Sequence, residues 1–209
     1  MIEITERWGL SKKGYWEFDD DRIDIPNILY LDGESFGSPD FAEVTISESK
    51  DSTLQIPSSI FESNNRPNSI PSAFGYPEEI DDDYIKAEGG TDKIQVIFDQ
   101  EPDPEAELYI IGNSPQLLGR APSLFNKIVE LRKKIPYHKL IYTPGIAQPN
   151  NIALLSYLGV DFFDSAFIEY MDLYDVELTD LIGFSGNNKK SYQNLHNELK
   201  LLRKTIEKK

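Results

Sequence analysis

The chain has 209 residues, a formal net charge of −15 and no cysteine, which excludes disulfides and cysteine-ligated zinc. Its histidines, His138 and His196, lie far apart in sequence, so we expect neither a metal site nor a bound cofactor. No apolar run approaches the roughly 18 residues that a membrane-spanning helix needs, and the N-terminus lacks the pattern of a secretory signal. We therefore expect a cytoplasmic protein without membrane association.

The charge is unevenly distributed along the chain. Residues 1–110 carry 8 basic and 26 acidic side chains, a net charge of −18, whereas residues 111–209 carry 13 and 10, a net charge of +3. An acidic half repels phosphate backbones, because binding to nucleic acid relies on cationic side chains. The composition therefore does not favour strong direct binding of nucleic acid.

The first 61 residues are predicted to form an antiparallel β layer. The segments "GYWEF", "IDIPNILYL" and "FAEVTIS" are rich in aromatic and β-branched residues or alternate apolar with polar ones. Pro26 indicates an edge strand or the start of a strand. Residues 62–107 are dominated by Asn, Ser, Pro, Gly and acids, a composition that is typical of a connector.

The pattern of apolar residues changes from residue 93 onward, and residues 108–186 are predicted to alternate strands with helices. The strands predicted from residue 93 onward are "KIQVIF", at the end of the connector, and then "ELYIIGN", "KLIYTPG" and "VDFF". Pro122 and Pro149 are each expected to begin a helix, Gly159 to end the second one, and a further helix to cover 165–174. Short connections of this kind predict parallel strands.

Residues 187–209 are basic, with leucines at helical spacing, and are predicted to form a docking helix. We expect all four segments to belong to one domain. The predicted fold class is therefore α/β, with an N-terminal antiparallel layer.

Small or polar residues follow three of the predicted strands: Gly112 and Asn113, then Thr143 and Gly145, then Asp164. In β/α architectures, binding and catalytic groups gather at the carboxyl ends of the strands. One interpretation is a ligand site at this edge. The other is that Gly112 and Gly145 permit turns and that Asn113 and Ser165 cap the following helices. In that interpretation Asp164 caps the helix after "VDFF" by bonding the amide of Ala166 or Phe167, or is, like Asp161, a solvated strand end.

Residues 108–166, ending in "GVDFFDSA", and residues 2–32, containing "IDIPNIL", resemble the tRNA-guanine transglycosylases. The resemblance implies a (β/α)8 TIM-barrel-like fold. It implies that Asp164 is the nucleophile that attacks the ribose, that Asp161 is the first aspartate of the motif, and that Gly112 contacts the base. Asn113, Thr143 and Gly145 are added as candidate substrate-binding residues at the same edge.

The chain lacks two parts of the family pattern. Residues 33–107 contain no loop with the second, base-reading aspartate, and no cysteine is present for the family's zinc site. The shortened middle predicts a reduced or incomplete barrel. Among family members the chain most resembles the degenerate N-terminal barrel part of archaeosine synthase, an archaeal paralogue.

Three interpretations follow from the resemblance and the missing parts. The first is a non-catalytic or catalytically reduced subunit of a tRNA-modifying enzyme in archaeosine biosynthesis. Its partner would be the catalytic chain of that enzyme, and the subunit would help to position that chain or, through it, the tRNA. The second is an active transglycosylase that uses Asp164 as nucleophile, with Asp161 or Asp99 as acid or base. The third is an acidic protein-interaction module on an inherited barrel. The sequence does not determine the oligomeric state.

Overall fold

The computed structural model describes residues 1–18, 21–31, 38–46, 93–172, 174–181, 183–186 and 188–208. Most of the predicted connector, up to residue 92, lies outside these ranges, as does 47–61 of the predicted N-terminal layer. The described strands are β1 (Ile2–Trp8), β2 (Ser11–Phe18), β3 (Asp21–Ile25), β4 (Asn27–Leu31), β5 (Val44–Ile46), β6 (Ile94–Ile97), β7 (Leu108–Ile111), β8 (Leu140–Tyr142), β9 (Phe162–Asp164), β10 (Val176–Leu178) and β11 (Gly183–Ser185). The described helices are α1 (Ser114–Leu118), α2 (Ala121–Lys134), α3 (Ile152–Tyr157), α4 (Ala166–Asp172) and α5 (Asn188–Glu207).

Six of the described strands form one parallel sheet in the order β5-β4-β9-β8-β7-β6. Strands β1, β2 and β3 form a separate antiparallel sheet, and β10 pairs with β11 in a hairpin. The α/β fold class is thus confirmed, together with an N-terminal antiparallel sheet. The structure does not describe a closed barrel.

The prediction that the whole first segment is antiparallel was wrong for its later strands. β4 and β5 pair in parallel, and β4 lies between β5 and β9 inside the sheet. Pro26 stands immediately before β4, so the predicted strand start is correct and the edge position is not. The reason is burial: all five residues of β4 are buried, as is typical of a central parallel strand that is covered on both faces.

Both faces of the parallel sheet are covered by apolar side chains. One face packs against the antiparallel sheet through Trp16, Ile23 and Ile25. The other face packs against the helices, with Tyr109 and Ile141 among the residues of that cluster. Successive residues of a strand point to opposite faces, so β4, β6, β7, β8 and β9 each contribute to both clusters.

Most of the predicted helices lie where the sequence places them. Pro122 stands in the first turn of α2, and Gly159 follows α3 with a φ of 103°. The helix expected at Pro149 starts later, at Ile152, because Asn151 first closes a turn. Its Oδ1 accepts from the Gln148 amide, and its Nδ2 donates to the Ile146 carbonyl. No helix within the described ranges is long and apolar enough to cross a bilayer.

Candidate functional site

Asp164 is the last residue of β9 and stands at the carboxyl edge of the parallel sheet, opposite Leu29 of β4. Its side chain is fully buried. It belongs to the face of the sheet that the antiparallel layer covers, since Phe162, two residues earlier, packs in that cluster. The solvated strand end that the sequence left open as an alternative is therefore excluded for Asp164.

Three donors surround the Asp164 carboxylate. The Tyr142 hydroxyl and the Gly145 amide donate to Oδ2 at 2.6 and 2.8 Å, and the Ala166 amide donates to Oδ1 at 3.0 Å. Gly145 has a φ of 70°, a conformation that glycine adopts without strain, and this turn brings its amide to the carboxylate. Two consecutive strand ends, β8 and β9, thus build the site.

Burial raises the pKa of Asp164 to about 6, and the hydrogen bonds from Tyr142, Gly145 and Ala166 oppose that rise. The carboxylate is mainly ionised at neutral pH and takes up a proton in mildly acidic solution. A group of this kind can serve as nucleophile or as acid and base. As the structure stands, its oxygens are occupied by protein donors and have no accessible surface.

Thr143 and Asn113 lie at the same edge of the sheet. Thr143 is fully buried, and its Oγ1 has no hydrogen-bond partner among the described residues. The Asn113 Oδ1 atom is also buried without a partner there, and Asn113 does not cap α1. The capping role considered for Asn113 is therefore wrong, because the side chain makes no bond to the helix that follows.

Gly112 is required by packing rather than by an unusual backbone angle. A Cβ atom at this position would lie 2.7 Å from the Phe98 ring and 2.8 Å from the Val96 side chain.

Ser165 has a role other than capping: its hydroxyl accepts from the Leu31 amide at 3.0 Å and ties β4 to the end of β9. The Asp164 side chain accepts from the Ala166 amide at the start of α4, as the capping interpretation of Asp164 predicts.

Asp161 lies at the opposite edge of the sheet, before β9 begins. One oxygen, Oδ2, accepts from the Ile141 amide at 2.8 Å and forms ion pairs with Lys12 at 3.2 Å and Arg132 at 3.0 Å. All three charged side chains are buried, so the solvated strand end is excluded for Asp161 as well. The structure does not bring Asp161 together with Asp164, because three steps along extended backbone, about 10 Å, separate their Cα atoms.

The two cations of this cluster also hold the backbone at the amino edge. Lys12 Nζ donates to the carbonyls of Tyr137 and Lys139 at 2.7 and 2.6 Å, and Arg132 donates to Lys139 and Gly159 at 2.8 Å. Burial lowers the pKa of Lys12 to about 8 and lowers that of Arg132, while Asp161 opposes both changes. We call Lys12, Arg132 and Asp161 the buried ion triad.

Sequence reasoning missed Lys12, Arg132 and Glu169. The strand alternation that places Trp16 inward also places Lys12 inward, so the sequence of β2 did indicate that Lys12 is buried. Arg132 stands in a run of charged residues, and nothing in that run indicates that it is buried. Glu169, on α4, has a buried Oε1 without a partner among the described residues, and burial and then Asp172 raise its pKa to about 7.

The other acid considered as a catalytic partner, Asp99, is exposed and pairs with Lys127 at 2.9 Å. That bond lowers its pKa. Among the described residues, no three His, Cys, Asp or Glu side chains converge as a metal site would require. The carboxyl edge therefore brings together Asp164, Tyr142, Thr143 and Gly145, with Gly112 and Asn113 at the neighbouring strand end.

No protein-family model matches the chain. The chain is similar to archaeosine synthase subunit alpha of Methanosarcina acetivorans, with 31% identity over 75 residues, 36% of this chain and 12% of that protein. It is similar to archaeosine synthase subunit alpha of Thermoplasma acidophilum, with 36% identity over 30% of this chain and 12% of that protein. Archaeosine synthase of Methanocaldococcus jannaschii is 30% identical over 132 residues, 56% of this chain and 23% of that protein.

These matches support a relation to archaeosine synthase. The matched stretches span only 12–23% of the length of these relatives.

Proposed function

We propose that this chain is a non-catalytic or catalytically reduced subunit of a tRNA-modifying enzyme in archaeosine biosynthesis. The observation that carries the proposal is the similarity to archaeosine synthases, two of which are named as alpha subunits. In this proposal the chain positions a longer catalytic chain, or positions tRNA through that chain. The acidic N-terminal half is then suited to a basic partner surface rather than to RNA.

The state of Asp164 supports a reduced catalytic role. A nucleophile must reach the reacting atom of its substrate, whereas this carboxylate is fully buried and accepts three hydrogen bonds from its own chain. Those bonds join the ends of β8 and β9 to the start of α4. In our proposal Asp164 has become a structural residue at the former position of the nucleophile.

The strand order supports the proposal that the sheet is the remaining part of a (β/α)8 barrel. β9, the last strand of the parallel sheet in sequence, pairs with β4, the first. Closure of a barrel requires this pairing between the beginning and the end of the chain. The described sheet ends at β5 and β6, which residues 47–93 connect in sequence.

Co-purification tests the proposal. The tagged chain, expressed with a full-length archaeosine synthase from the same organism, should form a stable complex and increase the rate of tRNA modification. The experiment is repeated after nuclease treatment, so that a protein contact is distinguished from a bridge of RNA. Failure to bind that enzyme and failure to alter its rate would together contradict the proposal. The remaining interpretation would then be an acidic protein-interaction module with a different partner.

A second candidate, an active transglycosylase with Asp164 as nucleophile, is favoured by one observation, the raised pKa of a carboxylate at a strand end. It predicts guanine exchange into tRNA by the purified chain. Asp164→Asn should abolish the exchange, with the exposed Asp40→Asn as matched control. Equal rates in the wild type and the Asp164→Asn variant would eliminate this candidate.

A further inference from the structure

A cavity of about 270 Å³ lies where the antiparallel sheet meets the C-terminal part of α5. Its lining includes Lys13, Tyr15, Arg22, Asp24 and Arg203. Three cations and one carboxylate thus face one space, in a chain whose net charge is −15. Two of these cations also pair with carboxylates outside the lining, Lys13 with Glu207 and Arg203 with Glu43.

Each cation of the cavity has a defined position. Arg203 is held by its Nε donating to the Pro26 carbonyl at 2.9 Å and its Nη1 donating to Glu43 at 2.9 Å. The third nitrogen, Nη2, is buried and has no partner among the described residues. Arg203 lines the cavity, and an unpaired guanidinium nitrogen is a donor that an oxyanion could satisfy.

The two other cations stand on the antiparallel sheet. The Arg22 guanidinium lies 3.7 Å from the centre of the Tyr15 ring, which orients it, and its Nε is 4.0 Å from Asp24, a weak contact. Lys13 Nζ pairs with Glu207 at 2.5 Å across to α5. Arg22 is largely exposed, so it can reorient towards a ligand without disturbing the core.

We propose that this cavity binds an oxyanion of the phosphate class, either a free phosphate ion or a phosphodiester group of a nucleic acid. Planar guanidinium groups match the geometry of phosphate oxygens and bind them in a bidentate manner. The ligand would lie between Arg22 and Arg203, with Lys13 shared between the ligand and Glu207. The site does not depend on the function proposed above and involves none of the residues at the carboxyl edge.

Calorimetric titration of the purified chain with inorganic phosphate, at low ionic strength, tests the site. We expect saturable binding that Arg22→Gln weakens about tenfold, the effect of losing one charge-assisted contact. Asp24→Asn should tighten binding about twofold, because it removes the carboxylate that repels the ligand. Arg22 and Asp24 are mostly exposed, so both variants should fold, as circular dichroism will establish.

Lys134→Gln is the matched control. Lys134 is also paired with a carboxylate, that of Glu101 at 2.7 Å, but it lines a different cavity. Its substitution should leave the phosphate affinity unchanged. Absence of saturable binding, an equal loss in Arg22→Gln and Lys134→Gln, or weaker binding in Asp24→Asn would each overturn the proposal.

A second titration with a short single-stranded RNA distinguishes the two sources of phosphate. RNA binding that competes with inorganic phosphate and falls in Arg22→Gln supports the site and identifies the phosphodiester as its ligand. Binding of inorganic phosphate alone supports the site and identifies the free ion.

Discussion

At the scale of single residues, Asp161 and Asp164 show how two aspartates of one short motif acquire different environments. Asp161 is neutralised by two buried cations at one edge of the sheet. Asp164 is held at the other edge by neutral donors, a tyrosine hydroxyl and two backbone amides. Cations thus surround Asp161, whereas only dipoles surround Asp164. Because no cation offsets the burial of Asp164, burial is the largest influence on its pKa.

The raised pKa of Asp164 predicts a pH-dependent stability. The folded state, with a pKa of about 6 against 3.8 for an ordinary aspartate, binds the proton more tightly than the unfolded state, so stability is lost as the pH rises through 6. Relative to Asp164→Asn, the wild type should lose about 1 kcal/mol of unfolding free energy between pH 5 and 7.5. Urea denaturation measures this difference; a constant difference over that range would contradict the argument.

The buried ion triad predicts a large effect at Asp161. Asp161→Ala leaves Lys12 and Arg132 buried without their counter-ion, and we expect a loss of about 3–5 kcal/mol in the free energy of unfolding. Glu101→Ala, which removes the largely exposed partner of Lys134, should cost less than about 1 kcal/mol. Similar losses in the two variants, measured by urea denaturation, would mean that the triad contributes no more than a surface pair.

At the scale of elements, the antiparallel sheet depends on a close approach between β1 and β2. The pairing of these strands is irregular between Ile4 and Glu6, and Gly14 of β2 lies next to this irregularity. A Cβ atom at Gly14 would be 1.9 Å from the Glu3 carbonyl oxygen. No side chain fits there unless the two strands separate.

Gly14→Ala should therefore destabilise the protein by about 2–4 kcal/mol, because the backbone itself has to move. Gly119→Ala is the matched control, since a Cβ atom added there would meet nothing within 4 Å and the φ of −62° suits any residue. The control should change the free energy of unfolding by less than about 0.5 kcal/mol. Thermal unfolding of both variants gives the comparison, and a Gly14 variant as stable as the control would refute the close approach.

At the scale of the whole molecule, α5 joins parts of the fold that are distant in sequence. It contacts β1 and β2 of the antiparallel sheet, β4 of the parallel sheet, and α3, α4 and β10. Its buried stripe consists of Tyr192, Leu195, Leu199, Leu202 and Ile206. The helix thus packs on both sheets, as the predicted docking helix requires.

Leu199→Ala should cost about 2–5 kcal/mol of unfolding free energy, since the side chain is 1% exposed and its loss leaves a cavity. Leu201→Ala, at a position that is 57% exposed on the same helix, should change it by less than about 0.5 kcal/mol. A matched pair on one helix cancels differences in helix propensity. If both variants unfold at the same urea concentration, α5 is not docked as described.

The sequence by itself determined the local features of this protein. The apolar periodicity of α2 and α5, the helix end at Gly159 and the strands from β6 to β9 follow from spacing and from residue type. It also predicted a strand that ends near Asp164 and a turn at Gly145, and those two residues are in contact in the structure. Such features depend on neighbours a few residues away, which a linear pattern records.

Only the tertiary structure decided which distant segments meet. The pairing of β4 with β9 joins residues more than 130 positions apart, and Lys12 reaches Asp161 across a similar separation. The same aspartate pattern could not reveal that one member faces a buried lysine and arginine while the other faces a tyrosine. The physical reason is that burial and ion pairing arise from contacts between remote parts of the chain, and these form only when the sheets and helices pack together.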